Sequence, residues 1–176
     1  LAAGCTTDKL FAMRSQVRPK LDIPVVFMTY MNPVFTYGKE RFLQKCVEVG
    51  MDGIIIPDLP YEEKDEMSGL CDTYGVDLIS LVAPTSHERI RMIAGVRKEI
   101  TTDIDEMVAL VREASDIPCA VGFGISMPEQ AKKMAGVSDG AIVGSAIVRM
   151  IGQYGKDCVE PVRQYVKEMK AAVNEA

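Results

Sequence analysis

The sequence has few of the residues that form metal centres or disulfide frameworks. It contains one histidine, His87, and five cysteines that lie far apart and form no CxxC pair. A zinc site needs clustered histidine or cysteine ligands, and a disulfide framework normally uses an even number of cysteines. We therefore expect no metal, no disulfides and a reducing, cytoplasmic location.

Positive charge is also in short supply, and no long apolar run is present. The formal net charge is -5, and no basic block is available to grip a nucleic-acid backbone. The longest uncharged stretch, Ile23–Gly38, is interrupted by prolines and polar residues, so it falls short of the ~18 apolar residues that suggest a membrane span. We expect neither a nucleic acid nor a membrane as a partner.

The overall composition is that of a folded domain. Of the 176 residues, 48% are hydrophobic and 26% are charged, which is ordinary usage for a soluble globular protein. A chain of this length has room for one domain of the usual size. We predict a single domain over residues 1–176.

Short apolar runs alternate with helical patterns along the chain. The near-continuous apolar character of the runs is typical of parallel strands that are covered on both faces, and the alternation predicts an α/β fold. The runs are Ile23–Tyr30, Gly53–Asp58, Asp77–Pro84, Pro118–Ser126 and Gly140–Val148. The helical stripes are Phe42, Leu43, Cys46 and Val47 before Gly50, then Ile104, Met107, Val108 and Val111, and finally Val162, Tyr165, Val166, Met169 and Val173.

The spacing of the apolar runs contains one irregular step. The runs start near residues 23, 53, 77, 118 and 140, so the steps are 30, 24, 41 and 22 residues. Within the long step, a helix from Ser86 to about Ala94 is followed by another near Thr102, with no strand between them. Two consecutive crossover helices would leave one without a sheet partner, so we infer that a strand is absent between Ala94 and Gly95.

The first run is preceded only by one helical stretch, from Thr7 to Val17. A (β/α)8 barrel typically needs about 250 residues. The strands present, the inferred strand and a missing front end together predict a (β/α)8 TIM barrel. Its N-terminal strands and one internal strand with its loop are not in this sequence.

Two glycine-containing loops point to phosphate binding. Gly122-Phe123-Gly124 follows an apolar run, and we predict a capping box from Ser126 to Glu129 at the start of the next helix. Gly144-Ser145 opens the helix after the next run, and barrels often bind phosphate with the loops after their last two strands. The alternative is that the glycines only serve tight turns. A dinucleotide motif is set aside because its third glycine would fall at Met127.

Polar side chains at the ends of two earlier runs are further candidates. Asp58 and Tyr30 follow runs at the strand ends, where barrels carry their active sites. Asp58 could equally shape its loop between Pro57 and Pro60, and Tyr30 could be an aromatic at the core edge. His87 lies near a helix start, where we expect it to be solvated.

Several stretches resemble the α subunit of tryptophan synthase, in family order and over nearly the whole chain. The stretches are Tyr30-Met31-Asn32-Pro33-Val34-Phe35, Gly53-Ile54-Ile55-Ile56-Pro57-Asp58-Leu59-Pro60 with Glu62-Glu63, Ala83-Pro84-Thr85, Gly122-Phe123-Gly124-Ile125-Ser126 and Gly140-Ala141-Ile142-Val143-Gly144-Ser145-Ala146-Ile147-Val148. The resemblance implies a barrel that cleaves indole-3-glycerol phosphate into indole and glyceraldehyde 3-phosphate by a retro-aldol step, without metal or cofactor. It also implies an αββα complex, in which a β subunit carries pyridoxal phosphate and receives the indole.

The resemblance assigns roles to individual residues of this chain. The implied phosphate ligands are Gly95, Gly124, Gly144 and Ser145, with Gly95 at the end of a closing loop. The implied walls of the substrate pocket are Met28, Tyr30, Val82 and Phe123. The implied surface towards the β subunit includes Asn32, Pro33 and Phe35.

The catalytic groups of the family have no counterpart in this sequence. The resemblance implies a Glu on an early strand and an Asp in a Pro-Phe-Ser-Asp-Pro-like loop, and both would precede Leu1. One moves a proton at indole C3, and the other holds the indole N–H as positive charge develops. No residue here is assigned to either role, so two alternatives stay open: a non-catalytic phosphate-binding subunit, and another barrel isomerase or epimerase of sugar phosphates.

Overall fold

A computed structural model describes residues 4–81, 104–122 and 124–176. The chain divides into two compact units, Leu1–Ala83 (unit 1) and Pro84–Ala176 (unit 2). The single domain predicted for residues 1–176 stays a prediction. The absent strand inferred between Ala94 and Gly95 lies outside the described residues.

Unit 1 contains a three-stranded parallel sheet with helical crossovers. The elements are α1 (Thr7–Val17), a 3₁₀ turn (Arg18–Lys20), β1 (Val26–Met28), α2 (Met31–Tyr37), α3 (Lys39–Glu48), β2 (Gly53–Ile55), α4 (Tyr61–Tyr74) and β3 (Asp77–Ile79). The strand order is β1-β2-β3, with Val26 opposite Gly53 and Gly53 opposite Asp77. The predicted α/β alternation and parallel pairing are confirmed here.

The helices of unit 1 bury one face each. In α3, the predicted stripe places Phe42, Leu43 and Cys46 in the core, whereas Val47 is 49% exposed and lies outside the buried face. Phe42 stacks edge-on against Phe11 of α1, with ring centroids 5.2 Å apart. Such aromatic contacts join α1 and α3 around one apolar core.

Unit 2 contains a two-stranded parallel sheet and four helices in its described part. The elements are α5 (Ile104–Ala114), β4 (Ala120–Val121), α6 (Pro128–Val137), β5 (Gly140–Ala141), α7 (Ser145–Tyr154), a 3₁₀ turn (Gly155–Asp157) and α8 (Val159–Asn174). The predicted run Gly140–Val148 was too long for a strand, because α7 begins at Ser145. Apolar character alone does not separate a short strand from a following helix.

In each sheet, an aspartate before the second strand makes two hydrogen bonds to the residue before the first strand. We call this pair of hydrogen bonds the brace. In unit 1, the Val25 N–H donates to Asp52 Oδ2 at 2.7 Å, and the Asp52 N–H donates back to the Val25 carbonyl at 2.9 Å. In unit 2, Cys119 and Asp139 make the same two bonds, each at 2.8 Å. These aspartates fix the register of the strands that follow.

An arginine from the preceding helical segment supports each brace. Arg18 lies 3.8 Å from Asp52, and Arg112 of α5 lies 3.0 Å from Asp139. The hydrogen bond from Cys119, together with the bond and charge of Arg112, lowers the pKa of the Asp139 carboxyl below its ordinary value. The brace of unit 2 is therefore strongest with Asp139 ionised.

A helix must be both long and apolar to cross a bilayer. None of the helices within residues 4–81, 104–122 and 124–176 is both long enough and apolar enough to do so.

Candidate functional site

The two glycine-containing loops of unit 2 leave the same edge of its sheet. In β4 and β5, Ala120 lies opposite Gly140 and Val121 lies opposite Ala141, in parallel. The Ile142 N–H still donates to the Val121 carbonyl at 2.8 Å. Because parallel strands end at the same edge, the loop after β4 and the loop after β5 lie side by side, as the sequence predicts.

The glycines of the loop after β4 have two different functions. A Cβ at Gly122 would lie 3.1 Å from Ile142 Cβ, so a side chain there would push the two loops apart. Gly124 has a φ of +65°, in the left-handed region that favours glycine, and a Cβ there would meet no atom within 4 Å. Gly122 therefore serves close packing, whereas Gly124 turns the chain beside open space.

The start of α6 differs from the predicted capping box of Ser126 and Glu129. Pro128 occupies the first turn, Met127 is the N-cap, and Gln130 lies three residues further. Gln130 Oε1 accepts the N–H groups of Ser126 at 2.9 Å and Met127 at 3.0 Å. The predicted capping box was wrong by one residue, because Pro128 shifts the start of the helix. The N–H groups of Ser126 and Met127 already have an acceptor within the protein.

The start of α7 has the properties of an anion site. Its N-cap is Gly144, and within the described part of the chain no side chain caps this start and no acidic residue lies in its first turn. Gly144 and Ser145 are both exposed. The first N–H groups of a helix have no partner inside the helix, and the helix dipole places positive potential there. This start can therefore hold an anion.

The structure brings three of the four predicted phosphate ligands to one sheet edge. Gly124 lies in the loop after β4, and Gly144 and Ser145 follow β5. The fourth, Gly95, lies outside the described residues, as do Val82, Phe123 and His87.

Unit 1 carries an apolar row at the carboxyl ends of its strands. Met28, Ile55 and Ile79 are paired across β1, β2 and β3. Alternation places Met28 on the sheet face opposite Phe27, which packs against the core. Met28 is 67% exposed and Ile79 is 39% exposed. The predicted pocket residue Met28 thus belongs to an apolar row with the half-buried Ile55 and the exposed Ile79. The sequence does not predict this row, because the register between the strands is fixed only by their pairing.

Tyr30 and Asp58 lie near each other in the same part of unit 1. Tyr30 is 65% exposed and is the N-cap of α2. Asp58 Oδ1 accepts the Met31 N–H at 2.8 Å. This bond supports the interpretation of Asp58 as a carboxylate that shapes its surroundings.

The predicted partner surface lies on α2. Asn32, Pro33 and Phe35 are exposed, with Phe35 at 69%, whereas Val34 is fully buried. The helix therefore anchors itself through Val34 and presents the other three side chains to solvent.

Metal ligation has no support in the described residues, which contain no group of three His, Cys, Asp or Glu side chains able to hold an ion.

Comparison with known proteins gives consistent matches over nearly the whole chain. The family model described as tryptophan synthase alpha chain matches residues 1–95 and 91–174. A tryptophan synthase alpha chain from Caldanaerobacter subterraneus subsp. tengcongensis is 42% identical over 188 residues, covering 97% of this chain and 72% of the relative. One from Lacticaseibacillus casei is 36% identical, covering 98% of this chain and 71% of the relative.

A solved structure gives the same result at the level of the fold. The tryptophan synthase alpha chain from Legionella pneumophila subsp. pneumophila superposes with a TM-score of 0.85 at 30% identity, covering 99% of this chain and 72% of that chain. The predicted (β/α)8 TIM-barrel fold class is confirmed by this similarity. The names of the relatives do not favour a sugar-phosphate isomerase or a non-catalytic subunit.

The matches also bear on the inferred gap. The family model matches in two stretches that meet at residues 91–95. The aligned stretch of 188 residues is longer than this 176-residue chain, so the relative has residues inside the alignment that this chain lacks. Both observations agree with the strand inferred to be absent between Ala94 and Gly95.

Proposed function

This chain belongs to the tryptophan synthase alpha chain family, and on that premise we propose that it serves the retro-aldol cleavage of indole-3-glycerol phosphate to indole and glyceraldehyde 3-phosphate. In this step, the bond between indole C3 and the glycerol chain breaks, C3 gains a proton, and the glycerol hydroxyl loses one. No residue of this chain is assigned to that proton transfer. Its described residues contribute binding.

The uncapped start of α7 is the observation that carries the proposal. A phosphate ester brings up to two negative charges, and a helix start without an acidic residue or a capping side chain accepts such a group. The neighbouring α6 start has Pro128, which lacks an N–H, and the acidic Glu129 in its first turn, so the two helix starts at this edge are not equivalent. We assign the phosphate to Gly144 and Ser145, with Gly124 beside them. Gly95 is proposed as a fourth ligand on the resemblance alone.

The apolar row of unit 1 supports the proposal that this unit binds an indole ring. An indole ring is flat and largely apolar, and such rings bind to apolar walls with few polar anchors. Met28 and Tyr30 present exposed apolar surface at the carboxyl ends of the strands. We propose these two, with Val82, as walls around the indole. Phe123, which precedes Gly124 in the sequence, is proposed separately as a pocket residue of unit 2.

We further propose a pyridoxal-phosphate β subunit as the partner, in an α2β2 complex, with no cofactor bound by this chain. Asn32, Pro33 and Phe35 on α2 would face that subunit. Exposed Phe35 supports this assignment, because aromatic side chains are enriched at protein interfaces. We also propose a reducing, cytoplasmic location, which the five free cysteines support.

Indole release tests the proposal. Purified full-length protein is incubated with indole-3-glycerol phosphate, with and without the β subunit, and indole is followed by fluorescence. We expect indole release that increases when the β subunit is added. Absence of release under both conditions would refute the lyase function.

A further inference from the structure

The loop after β4 is held in place from its inner side. Ile125 is 7% exposed and packs with Ala131 and Met169 in the core of unit 2. Gly124, immediately before it, turns with a φ of +65°. The buried Ile125 therefore anchors the loop directly next to the proposed phosphate ligand.

A tyrosine from the last helix holds the same loop by its backbone. The Tyr165 hydroxyl, on α8, donates to the Ser126 carbonyl at 3.0 Å, across 39 residues of sequence. The ring of Tyr165 packs against the same core cluster, so the hydroxyl is fixed in position. This bond ties α8 to the residue two positions after Gly124.

Gln130 holds the other polar groups of this short segment. Its Oε1 accepts the N–H groups of Ser126 and Met127 at 2.9 and 3.0 Å. Ser126 is therefore fixed at its N–H by Gln130 and at its carbonyl by Tyr165. A loop fixed at both groups loses less conformational freedom when a ligand binds.

We propose that Tyr165 and Gln130 are positioning residues for phosphate binding, because together they hold Ser126 and thereby set the place of Gly124 beside Gly144. Neither side chain needs to touch the phosphate for this role. The inference rests on the proposed phosphate-binding function and deepens it, since it extends the determinants of the site to the last helix of the chain.

The test measures binding of inorganic phosphate to the full-length protein by calorimetry. Tyr165→Phe removes only the hydroxyl and keeps the ring in the core. Tyr154→Phe is the matched control, because Tyr154 is 43% exposed on α7 and its hydroxyl makes no hydrogen bond within the described part of the chain. Gln130→Met removes the acceptor at similar size, and Gln153→Met, at an exposed position of α7, is its control.

We expect Tyr165→Phe and Gln130→Met each to raise the Kd for phosphate about threefold to tenfold, the usual effect of losing one hydrogen bond. The two controls keep the wild-type Kd. In the indole assay, KM should rise by a similar factor while kcat stays close to wild type, as expected when only binding is lost. Thermal unfolding of each variant separates this effect from loss of folded protein.

The outcomes separate this inference from the proposed function. If the wild-type protein binds phosphate and both test variants bind it as well as their controls do, the positioning role is overturned and the proposed function stands. If the wild-type protein binds no phosphate, the proposed function itself fails. If Tyr165→Phe is too unstable to measure, Gln130→Met alone decides.

Discussion

The carboxylate of Asp58 holds the backbone N–H of Met31 at 2.8 Å. Asp58 lies in the turn after β2, and Met31 is the first residue of α2, which follows β1. The N-cap of α2 is Tyr30, whose side chain makes no capping hydrogen bond. Asp58 therefore supplies, from a neighbouring loop, an acceptor for one of the N–H groups that have no partner inside the helix. Through this bond the turn after β2 fixes the helix that carries Asn32 and Phe35.

Replacing Asp58 tests this link. We expect Asp58→Ala to lower the free energy of unfolding by about 1 kcal/mol, as for loss of a helix cap. It should also weaken binding of the β subunit, because the start of α2 is no longer held. Asp58→Asn keeps an oxygen acceptor and should restore most of both properties. Urea unfolding and titration with the β subunit measure the two effects; equal partner affinity in Asp58→Ala and wild type would contradict the link.

Gly50 should not tolerate a side chain. It follows α3 with a φ of +69°, and a Cβ there would lie 2.9 Å from Arg18 Nε. We expect Gly50→Ala to lower the free energy of unfolding by roughly 1–2 kcal/mol, from backbone strain and displacement of Arg18. Gly69→Ala, in the interior of α4 with open space around it, should instead raise stability by about 0.5–1 kcal/mol. Chemical denaturation of both variants checks the pair, and a neutral Gly50→Ala would show that the clash is avoided.

Acid should weaken the brace of unit 2. The pKa of Asp139 is lowered in the folded state by the hydrogen bond from Cys119 and by Arg112. A depressed folded pKa contributes stability above the unfolded pKa, and that contribution is lost as the pH falls through the folded value. We expect the stability difference between wild type and Asp139→Asn to shrink from about pH 7 to about pH 3. A difference that stays constant over this range would argue against an ionised brace.

The buried thiols should resist labelling. Burial raises the pKa of the Cys46 thiol to about 12 and that of Cys71 to about 11. Because the thiolate is the reactive form, neither should react with a disulfide reagent until the protein unfolds. Exposed Cys5 should react first in the native protein. Cys5→Ser should therefore lose the fastest labelling phase and keep the slower labelling of the half-buried Cys119 and Cys158. Labelling of Cys46 or Cys71 in native buffer would contradict their burial.

Local patterns predicted much of the fold. The helical stretch predicted from Thr7 to Val17 has the same bounds as α1, and the stripe before Gly50 predicted the buried face of α3 except at Val47. The adjacency of the two glycine-containing loops was predictable because they follow strands about twenty residues apart, which suits neighbours in a parallel sheet.

The remaining features depend on contacts between distant parts of the chain. The bond from Tyr165 to Ser126 spans 39 residues, and that from Met31 to Asp58 spans 27. Neither partner has a sequence pattern that specifies the other. The capping box was wrong by one residue because Pro128 decides where α6 begins, and Ile55 and Ile79 were missed because register appears only once strands pair.

The assignment of phosphate to the start of α7 is tested most directly by Gly144→Asp. Gly144 has a φ of −122° and open space around it, and aspartate is a good N-cap, so the variant should fold as stably as wild type. Its carboxylate would occupy the proposed phosphate site and would repel the phosphate anion. Gly152→Asp, in the same helix and also in open space, is the control.

The decisive measurement is the Kd for inorganic phosphate in these two variants and in wild type, with thermal unfolding as the check on folding. We expect Gly144→Asp to raise the Kd by about tenfold or more, the effect of one strong charge interaction, and Gly152→Asp to leave it unchanged. A folded Gly144→Asp protein that binds phosphate as tightly as wild type would contradict the assignment of phosphate to the start of α7.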